Sequence, residues 1–103
     1  MPARTQTDLA ELQANSEQAA ELLKTAGNPH RLMILCLLSE GEMSVGELNE
    51  RIDLAQSPLS QHLAILRRTG LVSTRWDGQT IFYSLRGNQV QKLMGCLHEI
   101  YCE

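Results

Sequence analysis

The sequence predicts a mainly α fold with a small β-hairpin, formed by one domain over residues 1–103. Three observations predict it. Apolar residues recur with helical spacing before residue 70, alternate in the segment after it, and return to helical spacing near the C-terminus. The expected order is helix-helix-helix-helix-strand-strand-helix, preceded by a flexible tail at residues 1–7.

The sequence predicts two helices before residue 41, and the second is expected to be central to the core. An apolar stripe of moderate strength predicts a helix over residues 8–26. Asn28 and Pro29 predict the N-cap and first position of a second helix, and Gly41 is expected to follow its end. Because residues 32–38 are apolar almost all round, this second helix is expected at the centre of the molecule.

Two short helices joined by a turn are predicted next. Ser44 and Glu47 match a capping box that opens the third helix. Ser57 is expected to cap the fourth helix, with Pro58 at its first position and Gly70 at its end. The apolar face of this helix repeats at i, i+4 and i+7 in Leu59, Leu63 and Leu66. Because the fourth helix follows the third after a turn and exposes polar groups near its start, the pair predicts a helix-turn-helix.

After residue 70 the sequence alternates as a β-hairpin does. Residues 71–76 and 80–85 flank Asp77-Gly78, a dipeptide that favours a tight turn. Asn88 is then expected to cap a final helix with one apolar face. The whole pattern predicts a winged helix-turn-helix, and the apolar stripes of the first and last helices predict a homodimer through those helices.

The distribution of charge favours a nucleic-acid partner, although the net charge is −3. Residues 1–53 hold nine acidic and four basic residues, whereas residues 54–92 hold five basic residues and one acidic residue. The polar face of the fourth helix offers hydroxyl and amide groups for base edges, followed by Arg67 and Arg68 for phosphates. We therefore expect a palindromic double-stranded operator as the partner. Taken alone, the same pattern also fits a solvated polar face.

No membrane contact is expected. The longest apolar run, residues 32–38, is too short to cross a bilayer, and residues 1–13 lack the hydrophobic segment of a signal peptide. These features predict a soluble, cytoplasmic protein. Its core is small, and dimerisation would help to complete it.

Taken together, the motifs closely resemble the ArsR family of winged-helix repressors over residues 16–103. The segments that carry the resemblance are Asn28-Pro-His-Arg-Leu, Leu59-Ser-Gln-His-Leu, Leu66-Arg-Arg-Thr-Gly-Leu-Val and Asp77-Gly-Gln-Thr-Ile-Phe-Tyr. The family implies a cytoplasmic homodimer that binds operator DNA and releases it on a chemical signal. The DNA contacts that it implies here are Gln56, Ser57, Ser60, Gln61 and His62 on the helix and Arg75 and Gln79 on the wing. His62 flanks the apolar face, so a structural role against the core is an equal alternative.

The family's usual metal motifs are missing at the matching positions. Ser44 and Gly46 stand where arsenic-sensing members carry cysteines. The segment Arg86-Gly-Asn88 replaces the Asp-x-His of zinc-sensing members, and Tyr101 follows His98 where those members have a second ligand. Neither usual metal site is therefore expected.

Two cysteines match the sulfide- and persulfide-responsive subgroup of the family. These are Cys36 in the second helix and Cys102 at the C-terminus. The resemblance implies that persulfide or another oxidant bridges the two thiols within a protomer, as a polysulfide or a disulfide, and so changes the DNA-reading geometry of the dimer. Cys96 is expected to pack or to lie at an interface.

Four alternatives stand beside this hypothesis. Cys36 is a small apolar packing residue in one of them, and in another it forms a non-standard zinc site with His98 and Cys102. An enzyme with a Cys36 nucleophile is disfavoured, since no His or Asp pattern would activate that thiol. A winged helix used only for protein contacts is the fourth. No cofactor and no enzymatic activity are expected, and the sequence does not choose between a repressor and an anti-repressor.

Overall fold

The structure, a computed structural model, describes residues 6–102. It is mostly helical, with a small antiparallel sheet. The elements in chain order are α1 (Gln6–Ala14), α2 (Ser16–Ala26), α3 (Pro29–Leu38), β1 (Met43–Ser44), α4 (Val45–Arg51), α5 (Gln56–Arg68), β2 (Val72–Asp77), β3 (Thr80–Leu85) and α6 (Gln89–Tyr101). Of the flexible tail expected at residues 1–7, residues 1–5 lie outside the described residues, and residues 6 and 7 belong to α1.

The predicted first helix is two helices, α1 and α2, which meet at Asn15. The backbone N–H of Asn15 donates to the carbonyls of both Glu11 and Leu12 at 3.2 Å, and its side-chain amide donates to Glu11 at 2.9 Å. The hydroxyl of Ser16 donates to the Gln13 carbonyl at 2.9 Å. Asn and Ser side chains compete for backbone carbonyls in this way, and so they interrupt the helix where the apolar stripe alone predicts continuity.

The predicted central helix is confirmed as α3. The side chain of Asn28 accepts hydrogen bonds from the backbone N–H groups of His30 and Arg31, and Pro29 occupies the first helical position. One apolar cluster joins α3 to α5 and α6. Its members less than 10% exposed are Ala26, Ile34, Leu35, Leu37, Leu38, Leu48, Ile52, Leu59, Leu63, Leu66, Leu71, Val72, Tyr83, Val90 and Met94.

The predicted helix-turn-helix is formed by α4 and α5. The capping box of Ser44 and Glu47 is present at the start of α4. The predicted start of α5 is wrong by two residues, because Ala55, not Ser57, is the N-cap and makes no side-chain cap bond. Since none of the first N–H groups of a helix has an intrahelical partner, Pro58 is tolerated in the third position as well as in the first.

Gly70 ends α5 as predicted. Its φ of 82° lies in the left-handed region that favours glycine. The backbone N–H of Gly70 donates to the Arg67 carbonyl at 3.1 Å, and that of Leu71 donates to the Leu66 carbonyl at 3.0 Å. These two bonds form a Schellman motif, which turns the chain from α5 directly into the wing.

The predicted wing is confirmed and gains a third strand. β2 and β3 pair antiparallel around a loop of Gly78 and Gln79, one residue later than the Asp77-Gly78 dipeptide suggests. β1 pairs with β3 in the sheet order β1-β3-β2. A strand of two residues is too short to carry an alternating pattern, which explains why the sequence did not reveal it. None of the helices within residues 6–102 is long and apolar enough to cross a membrane.

Removing the Leu63 side chain tests the orientation of α5. We expect Leu63→Ala to lower the free energy of unfolding by about 2–5 kcal/mol, because this side chain is 1% exposed and its loss leaves a cavity. Urea denaturation at fixed protein concentration measures the change. Ser60→Ala, on the exposed face of the same helix, is the matched control and should change it by less than about 0.5 kcal/mol. Equal losses in both variants would contradict this orientation.

Candidate nucleic-acid interface and thiol pair

The polar face of α5 lies in solvent, opposite its buried leucine face. Leu59, Leu63 and Leu66 are 0–1% exposed, and burial of these side chains fixes which face of the helix remains outside. The exposed polar residues are Gln56, Ser57, Ser60 and Gln61 in the first half of the helix, and Arg67 and Arg68 in its last turn. Hydroxyl and amide groups can hydrogen-bond to base edges, and guanidinium groups can contact phosphates.

The wing brings a second predicted contact close to the start of α5. Gln56 of α5 and Gln79 of the wing loop line the same open cleft, together with residues of α4. The sequence places these two glutamines far apart, so only the fold unites them. Trp76, the single tryptophan of the chain, lies on the same hairpin and is 65% exposed.

Arg75 lies back from the wing loop and is held by an acidic partner. Its Nε and Nη2 donate to the two carboxylate oxygens of Glu42 at 2.7 and 2.6 Å. Its guanidinium also lies 4.7 Å from the centre of the Phe82 ring. The hydrogen bond from Arg75 lowers the pKa of Glu42, so the carboxylate remains charged. The arginine that the sequence offers to DNA is therefore engaged in an exposed ion pair in this structure.

His62 faces α3 in this structure and is half-buried. Its ring lies 5.5 Å from the ring of His30, centre to centre, and its Nδ1 lies 3.5 Å from Nη1 of Arg31. Burial lowers the pKa of His62, and the charges of Arg31 and His30 lower it further. These contacts match the structural alternative that the sequence left open for this residue.

Cys36 and Cys102 are free thiols that lie in α3 and at the end of α6. Cys36 is half-buried in α3, where its thiol donates to the Met94 sulfur at 3.6 Å. Cys102 is exposed at the end of α6. Burial raises the pKa of Cys36, and the negative charge of Cys102 raises it further. Neither cysteine is in a disulfide.

The alternative zinc site is not assembled. Within residues 6–102, no three His, Cys, Asp or Glu side chains form a group that could hold a metal ion. His98 and Cys96 are both exposed on α6.

Sequence reasoning missed the partners of these residues. Glu42, Arg31 and Met94 each contact a predicted site residue that is at least thirty positions away in the chain. The relevant contacts join α3 or the turn after it to α5, α6 and the wing. Local patterns in the sequence do not predict these contacts, because the contacts depend on how the elements pack.

Comparisons with known proteins agree with this architecture. The profile of the bacterial regulatory protein, arsR family, matches residues 28–74. The transcriptional activator HlyU of Vibrio cholerae is 51% identical over 93% of this chain and 89% of its own length. The biofilm growth-associated repressor of Agrobacterium fabrum is 42% identical over 91% of this chain and 80% of its own length.

Solved structures of relatives share the fold over almost the whole chain. Reduced HlyU from Vibrio cholerae superposes with a TM-score of 0.85 at 52% identity, covering 90% of this chain and 98% of that one. The transcriptional repressor BigR from Xylella fastidiosa superposes with a TM-score of 0.86 at 41% identity, covering 91% and 96%. Identity at this level over this coverage, on a winged helix-turn-helix with an exposed polar helix, shows that the chain belongs to the ArsR family of DNA-binding transcriptional regulators.

Proposed function

We propose that this regulator is a homodimer that reads a palindromic operator and changes its DNA affinity when persulfide or another oxidant bridges Cys36 and Cys102. The observation that supports the switch is that Cys36 in α3 and Cys102 at the end of α6 are both free thiols, and that negative charge on Cys102 raises the pKa of Cys36. A covalent link between these positions constrains two helices that otherwise meet through side-chain packing.

DNA reading is assigned to α5 and the wing. Ser57, Ser60 and Gln61 contact base edges in the major groove, and Gln56 and Gln79 act at the junction of helix and wing. Their exposure and the shared cleft of the two glutamines support this assignment. Arg67 contacts a phosphate from the last turn of α5.

Dimerisation through the first and last helices is supported by apolar side chains left in solvent. Leu9 and Leu12 of α1 are 52% and 55% exposed, and Ile100 and Tyr101 of α6 are 63% and 79% exposed. Covering these side chains with a second copy of the chain removes apolar surface from water, which stabilises the dimer. A two-fold dimer presents two α5 helices to half-sites about 34–36 Å apart.

The thiol reaction is written with a persulfide, RS–SH, as the two-electron oxidant. The thiolate of Cys102, the exposed thiol, attacks the outer sulfur and forms Cys102–S–SH with release of RSH. The Cys36 thiolate then attacks the cysteine-bound sulfur, forming a disulfide and releasing H₂S. Two thiols and one persulfide thus give one disulfide, RSH and H₂S. When both thiols carry an added sulfur, the same displacement gives a trisulfide and H₂S.

The bridge acts on DNA binding by choosing between dimer geometries. It ties the end of α6 to α3, and α3 packs directly against α5. To change the populations of two dimer geometries from 1:99 to 99:1, the bridge must shift their relative free energy by about 5.5 kcal/mol. Because the names of the relatives include both an activator and a repressor, a reporter assay with and without the regulator is needed to decide the sign of its effect.

Serine variants test the switch. We expect Cys36→Ser and Cys102→Ser each to bind operator DNA as the reduced wild type does and to lose the response to persulfide, because neither can form the bridge. Fluorescence anisotropy with the DNA upstream of the protein's own gene measures both. Cys96→Ser is the matched control and should respond like the wild type. A response that survives both variants would contradict the thiol switch, and bound zinc in the purified protein would favour the metal alternative.

Two variants of α5 separate base reading from phosphate contact. Gln61→Ala is expected to weaken the free energy of binding to operator DNA by about 1–3 kcal/mol and to leave the salt dependence of binding unchanged. Arg67→Ala is expected to weaken binding to all sequences alike and to reduce the slope of log K against log salt by about one. Anisotropy titrations over a range of salt concentrations on operator and random DNA distinguish them. Unchanged affinity in both variants would exclude α5 as the reading helix.

Because Arg75 is paired with Glu42, we expect DNA affinity to rise when the Glu42 carboxylate is removed. Glu42→Gln is expected to tighten DNA binding and to steepen its salt dependence by up to about one unit of slope, because Arg75 becomes available to a phosphate. Glu40→Gln removes the same charge from the same turn without releasing Arg75, and it is the matched control. Weaker binding in Glu42→Gln would mean that the ion pair positions the wing instead of competing with DNA.

A further inference from the structure

Arg31 connects the middle of α5 to the end of α2. Its Nη1 lies 3.5 Å from Nδ1 of His62, and its Nε donates to the backbone oxygen of Thr25 at 2.7 Å. Thr25 is 5% exposed, so this carbonyl lies inside the protein. The planar fork of a guanidinium suits such a two-point contact. One side chain of α3 therefore touches two neighbouring helices at once.

The chemistry of Arg31 determines which nitrogen of His62 carries the proton. A guanidinium has only donors, so a ring nitrogen that faces it must accept. When Nδ1 of His62 accepts from Arg31, the single proton of the neutral ring is on Nε2. A doubly protonated His62 would lose this hydrogen bond and would set one cation against another.

The surroundings of His62 favour the neutral ring. The charged or titratable groups that act on it are Arg31 and His30, both on α3 and both unfavourable to a positive charge. β2 also packs against α5, but its Arg75 is directed at Glu42. Among the described residues, no carboxylate lies within ion-pair distance of the His62 ring. These surroundings therefore disfavour the protonated ring.

We propose that Arg31 is a positioning residue of the DNA-binding surface, which keeps His62 uncharged with its proton on Nε2 and so holds α5 against α2 and α3 in the orientation that reads DNA. This inference rests on the proposed role of α5 in DNA reading and is independent of the thiol switch. DNA affinity is then highest when the pH is above the pKa of His62. It falls as the pH drops below that pKa, because protonation of His62 breaks the contact with Arg31.

Nitrogen-15 NMR of the histidine rings tests the contact without DNA. In the wild type we expect His62 as the Nε2–H tautomer, with a pKa below that of a free histidine. Arg31→Met is expected to raise this pKa and to populate the Nδ1–H tautomer. Arg31→Lys keeps the charge, should keep the pKa low, and is expected to weaken DNA binding because one ammonium cannot reproduce the two-point contact. Arg86→Met, which removes an exposed arginine elsewhere, is the control. His62 signals that do not respond to Arg31→Met would overturn the proposal.

The pH dependence of DNA affinity supplies the second readout. On acidification from about pH 7.5, the wild type should lose up to about tenfold in affinity for each pH unit below the pKa of His62. His62→Gln cannot titrate and should show no such loss, whereas His98→Gln on α6 should behave as the wild type. A gain in affinity on acidification that depends on His62 would overturn the proposal, since His62 would then act as a cation on a phosphate. Failure of the α5 assignment itself is recognised separately, by intact binding in Gln61→Ala and Arg67→Ala.

Discussion

The packing of α5 against α3 is the constraint on which the rest of the structure depends. Ile34 and Leu35 of α3 and the three leucines of α5 are almost wholly buried in one apolar cluster. Burying each such side chain contributes about 1.5–3 kcal/mol. Because a helix repeats every 3.6 residues, burial of this leucine face leaves the hydroxyl, amide and guanidinium groups of α5 in solvent. The surface that we propose reads DNA is thus a consequence of how the core is built.

The same α3 helix also carries the groups through which we propose that this surface is controlled. Cys36 lies on it and faces α6, whereas Arg31 and His30 lie at its first turns and face His62 of α5. A bridge at one end and a protonation at the other would act on the same rigid element. Two such inputs bias DNA binding only if the dimer has two discrete geometries, which is the physical requirement for both proposals.

Most of the fold follows from local signals in the sequence. The cap at Asn28, the capping box at Ser44, the Schellman turn at Gly70 and the hairpin near Asp77 are each decided by residues within about six positions of one another. The break at Asn15 and the start of α5 at Gln56 were missed. At Asn15 the apolar stripe predicts a continuous helix, but side-chain hydrogen bonds of Asn15 and Ser16 interrupt it. At α5 the preferred cap residue Ser57 suggests one boundary, whereas the helix begins two residues earlier.

The sequence by itself determined the helix-turn-helix, the wing and the polar composition of the exposed helix, because periodicity and capping are properties of short segments. Only the tertiary structure decided that Arg75 pairs with Glu42, that His62 faces Arg31, and that the thiol of Cys36 lies against the sulfur of Met94. Each of these contacts joins residues more than thirty positions apart. Such contacts exist only after the apolar faces have packed, and so the sequence named the chemical groups whereas the packing chose their partners.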